Sequence, residues 1–260
     1  MNVYSLGKVS IVIPVCNEEG NIKTLQSALT KHLNKLTSYF EIIYVNDGSS
    51  DSSLEVIKEI CRLDPNAKCI SLSRNFGQDA ALAAGLKEAS GETVITMDAD
   101  MQDDPSDIGV LLSQINGDCD IVSGWRKKRS RRGIARNALA KVGNVLCAGF
   151  FGIYFHDFNS TFKIYKKAAL AKMHYFKGFH RFVPVFGQIC GLRVEEVVIR
   201  NNDRLSGKTK YRVFGLRRIK ESLCAALVLK FSIIFLDGKI EKVLPGLKYE
   251  IAQKYPAQSG

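Results

Sequence analysis

The sequence predicts an α/β domain: a mainly parallel sheet with helices on both faces. Two observations carry this. Short apolar runs bounded by turn residues alternate with segments of helical spacing through the first half of the chain. Three polar clusters, CNEEGN (16–21), NDGSSD (46–51) and DADMQDD (98–104), each follow the end of an apolar run. Ligands of open α/β sheets bind beyond the carboxyl ends of the strands, so the clusters mark one edge as the working edge.

The elements follow in order. VSIVI (9–13) reads as a buried strand, with a helix from about Asn21. EIIYV (41–45) is a second strand, ended by Asn46, Asp47 and Gly48. Ser49 to Asp51 have capping chemistry, and LEVIKEICRL continues with helical spacing. KCISL (68–72) is a third strand. DAALAAGLKEA (79–89) is a helix of strong formers, closed by Gly91. ETVITM (92–97) is a fourth strand, and Asp104–Pro105 opens another helix with proline at its first position. CDIVSG (119–124) is a fifth.

At 260 residues the chain can form one large domain or two small ones. Its hydrophobic content of 46 % is ordinary, but its net charge of +11 is not. Such an excess favours a polyanionic partner: nucleic acid, nucleotide or an anionic membrane surface. The seven cysteines are scattered without a CxxC pair and read as reduced core thiols of a cytosolic protein. The N-terminus lacks a secretory layout, and no stretch reaches the roughly 20 apolar residues of a spanning helix. LCAALVLKFSIIFL (223–236) is too short and carries Lys230. A Rossmann-type oxidoreductase is excluded because no G-x-G-x-x-G follows the first strand. There is no H-E-x-x-H, G-x-S-x-G or P-loop, and the four histidines form no metal-like spacing. His180 reads as structural, and Trp125 and Phe76 as packing residues.

TMDADMQDDPSD (96–107) holds five carboxylates. Acids crowded this way repel one another unless a cation lies among them. Asp98 and Asp100 lie two residues apart, where a turn after the strand can bring both to one point. Oxygen-only ligands suit Mg²⁺ or Mn²⁺, with other positions left to water and substrate phosphates. The bland alternative is an acid-rich helix N-terminus, and that reading covers Asp103 and Asp104. GWRKKRSRRGIAR (124–136) carries seven bases and no acid. By itself it marks a nucleic-acid or membrane-surface patch. A non-catalytic, basic nucleic-acid-binding domain therefore stays open beside the enzyme reading, although the carboxylates would repel phosphate without a cation.

IVIPVCNEEGNI, EIIYVNDGSSDSS, SRNFGQDAALAAGLKEASGETVITMDADMQDDPSDI and VSGWR occur in the order and spacing of family 2 glycosyltransferases with the GT-A fold, a Rossmann-like nucleotide-diphospho-sugar transferase architecture. DFNSTFKIYKKAAL (157–170), HRFVPVFGQICGLRVEEVVI (180–199) and DRLSGKTKYRVFGLRR (203–218) resemble the later motifs of polyprenyl-phosphate glycosyltransferases, the dolichyl-phosphate mannose synthase-like group. The resemblance implies a metal-dependent, inverting transfer of a sugar from a nucleoside-diphosphate sugar to a polyprenyl phosphate. The R-N-F-G-Q element leans to uridine donors. A polysaccharide or soluble glycan is the alternative acceptor.

The resemblance also implies roles. Asp98, Asp100 and Gln102 match the Mn²⁺ or Mg²⁺ ligands. Pro14, Cys16, Glu18, Val45 and Asp47 match positions that cradle base and ribose, with Asp98 and Ala99 beside them; Cys16 departs from the aromatic that relatives often carry. Arg126 and Arg136 match arginines that face the phosphates. Arg204 and Lys210 match the late cations that meet donor or acceptor phosphate. Asp157 matches a recurrent acid before the F-K-I-Y strand, suited to orienting an arginine or the acceptor. The implied acceptor is already ionised at neutral pH, so no strong general base is needed.

The chain thus divides into a catalytic domain (1–212), an amphipathic helix (213–236) and a C-terminal tail (237–260). Val213, Leu216, Ile219, Leu223, Ala226 and Leu227 recur at helical spacing beside Arg217, Arg218 and Lys220. That pattern suits a helix lying on an anionic membrane surface, or one packed on the sheet. The expected location is peripheral, on the cytoplasmic face, with no nucleic-acid partner. Relatives commonly continue into spanning helices where this chain runs into a polar tail. A short form, a truncated chain and a subunit needing a membrane-protein or homo-oligomeric partner are all compatible with that.

Overall fold

A computed structural model describes residues 7–115, 118–127, 149, 152–202 and 246–255. Among them an eight-stranded sheet runs in the order β7-β5-β6-β4-β1-β2-β3-β8. Its strands are β1 (Val9–Val15), β2 (Phe40–Asn46), β3 (Ala67–Leu72), β4 (Thr93–Thr96), β5 (Ile121–Arg126), β6 (Lys163–Lys166), β7 (Val194–Ile199) and β8 (Ile251–Tyr255). The helices are α1 (Glu19–Leu33), α2 (Ser53–Leu63), α3 (Gln78–Glu88), α4 (Ile108–Ile115), α5 (Lys167–Ala171) and α6 (Phe179–Ile189). All five strands expected from the sequence form within two residues of their expected limits.

The sheet is mixed. β1 to β4 are mutually parallel, and β7 runs parallel to β5. β6 is inserted antiparallel between β4 and β5. β8 pairs antiparallel with β3 at the far edge. The stretch 237–260, read from sequence as a tail, therefore lends residues 251–255 to the sheet. All five of those residues face solvent at least in part, so no buried alternation announced the strand.

Side-chain alternation sorts the core onto two faces. Val12, Ile43, Val45, Val94, Ile121 and Tyr165 pack under α3, α5 and α6. Ile11, Ile13, Ile42, Tyr44, Ile95 and Val122 pack under α1, α2 and α4. Helix α3 lies close on the sheet because its buried face is mostly alanine and glycine. A Cβ on Gly85 would come within 2.3 Å of Val12 Cγ1.

At the amino-terminal side of the sheet, Glu41 is a buried acid with every oxygen used. It accepts from Ser10 Oγ at 2.6 Å, from Ser90 N at 2.8 Å and from Lys68 Nζ at 2.7 Å. Burial opposes its ionisation, but these partners outweigh burial and hold the carboxyl well below the usual range.

Candidate active site

The three polar clusters meet at the carboxyl ends of β1, β2 and β4. The first two are laced together. Ser50 N donates to Asn17 Oδ1 at 2.7 Å, Asn17 N to Ser49 Oγ at 3.0 Å, Glu18 N to Ser53 Oγ at 2.8 Å, and Ser52 N to Glu19 Oε2 at 2.8 Å. Asn17 takes a positive φ of 51°, a conformation that asparagine tolerates better than most residues.

Asp47, at the end of β2, is buried and accepts from Phe76 N at 2.7 Å and Gly77 N at 3.0 Å. Both oxygens thus hold the loop that leads into α3. Burial pushes its carboxyl up, and those two amides resist. Asn75 Nδ2 donates to Cys16 Sγ at 3.2 Å.

The acid turn follows β4. Asp98 and Asp100 are partly exposed and flank the buried Ala99. Met101 takes φ 62°, and Gln102 N closes back onto Asp100 Oδ1 at 3.1 Å. A non-glycine residue in this region is strained and is held there by its surroundings. Gln78, the first residue of α3, donates to Asp98 Oδ1 at 2.8 Å. Asp104 instead caps the 3₁₀ turn at Pro105, accepting from Ser106 N at 2.9 Å.

Two cations face these acids. Arg126, at the end of β5, lies side-on against the buried Asp157, Nε to Oδ2 at 2.8 Å and Nη2 to Oδ1 at 3.3 Å. Lys163, on β6, is buried and donates to the Ser160 carbonyl. Burial pulls its ammonium down to about 8, resisted by Asp157, Asp98 and Asp103. Burial, then Asp100 and Asp103, push the Asp98 carboxyl up to about 7, with Arg126 resisting. Asp103 is buried, is pushed up to about 6 chiefly by burial, and has no partner for Oδ1 among the described residues. Two carboxylates raised first by burial and then by acidic neighbours, one of them with an orphaned oxygen, fit a hard divalent ion with oxygen ligands. Among the described residues no group of three or more His, Cys, Asp or Glu is arranged to hold an ion. Asp98, Asp100 and the Gln102 side-chain amide could offer such an ion three oxygen ligands.

Residues 10–173 match the protein family described as Glycosyl transferase family 2. Dodecaprenyl-phosphate galacturonate synthase of Rhizobium johnstonii is 31 % identical over 216 residues, which cover 82 % of this chain and 64 % of that protein. The chain belongs to glycosyl transferase family 2. Another relative, undecaprenyl-phosphate 4-deoxy-4-formamido-L-arabinose transferase of Salmonella choleraesuis, is 31 % identical over 221 residues, 85 % of this chain and 67 % of that one. The family 2 chain thus spans about two thirds of the length of these relatives, which by name are polyprenyl-phosphate sugar transferases. The fold is of the GT-A type. Glucosyl-3-phosphoglycerate synthase of Mycobacterium tuberculosis, solved with Mn²⁺, UDP-glucose and phosphoglyceric acid, superposes with a TM-score of 0.63 at 16 % identity, over 88 % of this chain and 81 % of that one.

Within this family 2 chain, Pro14, Cys16, Glu18, Asp47, Asp98, Asp100, Gln102, Arg126 and Asp157 gather at one sheet edge. Val45 pairs with Pro14 in register, but its side chain is buried under α3, so packing is its observed role. Arg136, Arg204, Lys210 and the amphipathic stretch 213–236 lie outside the described residues. One reading needs correction. The acid-rich helix N-terminus read for both Asp103 and Asp104 describes Asp104, which caps the 3₁₀ turn, but not the buried Asp103. Its backbone bridges to Asn201 beyond β7, and this buries the side chain. Sequence reasoning also passed over Gln78 and Lys163. The signal for Lys163 was present: a lysine inside the apolar run F-K-I-Y needs a buried partner or a route to solvent. Trp125 stacks on His156 at 3.9 Å between ring centroids, and His180 Nδ1 meets Asp79 Oδ1 at 2.5 Å beneath the site.

Proposed function

We propose that this family 2 chain transfers a sugar from a uridine diphosphate sugar to a polyprenyl phosphate, with inversion at the anomeric carbon, at the cytoplasmic face of a membrane. The observation that carries the reading is the meeting of the acid turn with the Arg126–Asp157 pair at the carboxyl edge of the sheet. Asp98, Asp100 and Gln102 would hold Mn²⁺ or Mg²⁺, which when bound neutralises charge on the leaving diphosphate and orients it. Asp47 shapes the nucleoside end by fixing the loop at Phe76 and Gly77. Arg126, aimed by Asp157, offers a permanent positive charge to the phosphates. No residue need remove a proton from the acceptor, because a lipid monophosphate is ionised at neutral pH. Its oxygen can attack directly, which inverts the centre.

The relatives named for polyprenyl-phosphate transfer support the acceptor, and the net charge of +11 supports a negatively charged surface. No helix among the described residues is long and apolar enough to cross a membrane. The test is a donor screen with Mn²⁺ and a short polyprenyl phosphate, the product analysed by mass spectrometry and NMR. A β-linked lipid phosphate from an α-linked UDP-sugar is expected. Transfer only to a glycan, or an α-linked product, overturns the reading. Binding to anionic vesicles that weakens with salt is expected alongside, with Arg204→Ala losing lipid transfer but keeping donor binding. Equal partition onto neutral vesicles refutes the surface role.

A further inference from the structure

Register places four polar side chains in one row across the sheet. Thr96 on β4 pairs with Lys163 on β6, Lys163 with Ser123 on β5, and Ser123 with Glu196 on β7. Directly paired residues share a face, so the row lies where Val94, Tyr165, Ile121 and Val194 build an apolar layer two residues away. A polar row at the rim of such a layer needs partners; among the described residues Ser123 Oγ has none, while Thr96, Lys163 and Glu196 find theirs in one segment. Thr96 Oγ1 donates to the Thr161 carbonyl at 2.5 Å, and Lys163 Nζ donates to the Ser160 carbonyl. Glu196 accepts from His156 N at 2.8 Å with Oε2 and from Asp157 N at 2.9 Å with Oε1. The His156 ring, stacked on Trp125, also meets Glu196 Oε2 through Nδ1 at 3.0 Å.

The row therefore moors the backbone of residues 156–161, and that backbone carries Asp157. Asp157 in turn holds Arg126 through two nitrogens. We infer that Glu196 is a positioning residue for Arg126. By clamping two consecutive amides it fixes the Asp157 carboxylate, which fixes the plane of the guanidinium at the phosphate site. Glu196 itself touches neither reacting group. A carboxylate suits the task, because its two oxygens accept one amide each. Glutamine has one acceptor oxygen and turns an N–H toward the second amide.

The inference rests on the proposed function only for where Arg126 points. The test compares Glu196→Ala, Glu196→Gln, Asp157→Asn and the Glu196→Ala/Asp157→Asn double variant, each checked for native circular dichroism. Calorimetry with UDP and Mn²⁺ reads the phosphate site without any transfer, and kcat and donor KM are measured separately. In Glu196→Ala, kcat should fall roughly 10- to 100-fold and UDP affinity should weaken, as for outer-shell partners elsewhere. Glu196→Gln should fall between that variant and wild type. The double variant should be no worse than Asp157→Asn alone, because both act through one contact. Amide exchange at 156 and 157 should quicken while β1 to β4 stay protected. A folded Glu196→Ala with wild-type UDP affinity and kcat overturns the inference, as do losses that multiply in the double variant. If Glu196→Ala does not fold, Glu196→Gln decides by the same readouts. Failure of wild type to use a polyprenyl phosphate would count against the proposed acceptor, while the UDP comparison would still decide the role of Glu196.

Discussion

Gln78 donates to Asp98 Oδ1 at 2.8 Å, so the first residue of α3 is tied to the acid that ends the β4 run. The same amide nitrogen lies 3.3 Å from Thr161 Oγ1. It holds one oxygen of the carboxylate that, on the proposed reading, also serves the cation. Asp98→Asn or Asp100→Asn should lower transfer by about two orders of magnitude or more while the fold survives, since an ion loses a charged ligand. Chelator should abolish activity, and Mn²⁺ or Mg²⁺ should restore it. Full transfer in chelator would remove the metal from the reading.

Asp47 works first on the backbone. Asp47→Ala leaves the Phe76 and Gly77 amides without their acceptor, a loss of about 2 kcal/mol or more for hydrogen bonds to a charged group. Urea denaturation should show that loss, and calorimetry should show weaker UDP binding. Asp47→Asn, which keeps one acceptor oxygen, should be milder in both. Unchanged UDP affinity in Asp47→Ala would separate this loop from the donor site.

Two glycines should respond in opposite directions to alanine. A Cβ on Gly85 would sit 2.3 Å from Val12 Cγ1 and 3.0 Å from Val45 Cγ2, between α3 and the sheet. Gly85→Ala should cost about 1–3 kcal/mol through overpacking. At roughly 2–4 °C per kcal/mol for a chain of this size, the melting temperature should drop by several degrees. Among the described residues, a Cβ on Gly109 in α4 meets only Leu36, at ordinary contact distance (3.5 Å). Gly109→Ala should raise stability, by up to about 1 kcal/mol of helix preference. Equal shifts in the two variants would refute the packing argument.

Glu41 predicts acid lability. Its folded pKa is depressed, so its contribution is fully present above the unfolded value, about 4.3, and is lost as pH falls toward the folded value. Stability from urea melts should therefore decline below about pH 4 in wild type. Glu41→Gln should be less stable at pH 7 and should show a flatter dependence in the acid range. A parallel decline in both proteins would assign the lability to other carboxylates.

The alternation of β1 to β5 with α1 to α4 was legible in the sequence because it is written locally. A buried strand must be an apolar run, and its ends must carry residues that tolerate turns. The three clusters at the sheet's carboxyl edge follow from that alternation, as does the suitability of Asp98 and Asp100 for a hard cation. Other features needed the tertiary structure. Asp103 and Asp104 are neighbours with the same side chain, and either could begin a helix. One caps a turn at the surface, and the other is buried because its backbone bridges to Asn201, about a hundred residues away. Lys163 reads as an odd residue in a strand until β6 is inserted antiparallel between β4 and β5, which sets it against Thr96 and Ser123. Glu196 reads as a surface acid until β7 pairs with β5 and brings it under the amides of His156 and Asp157. Periodicity decides which face a side chain takes, but register between distant strands decides what it meets there. Register is set by the packing of the whole sheet, which no local stretch of sequence contains.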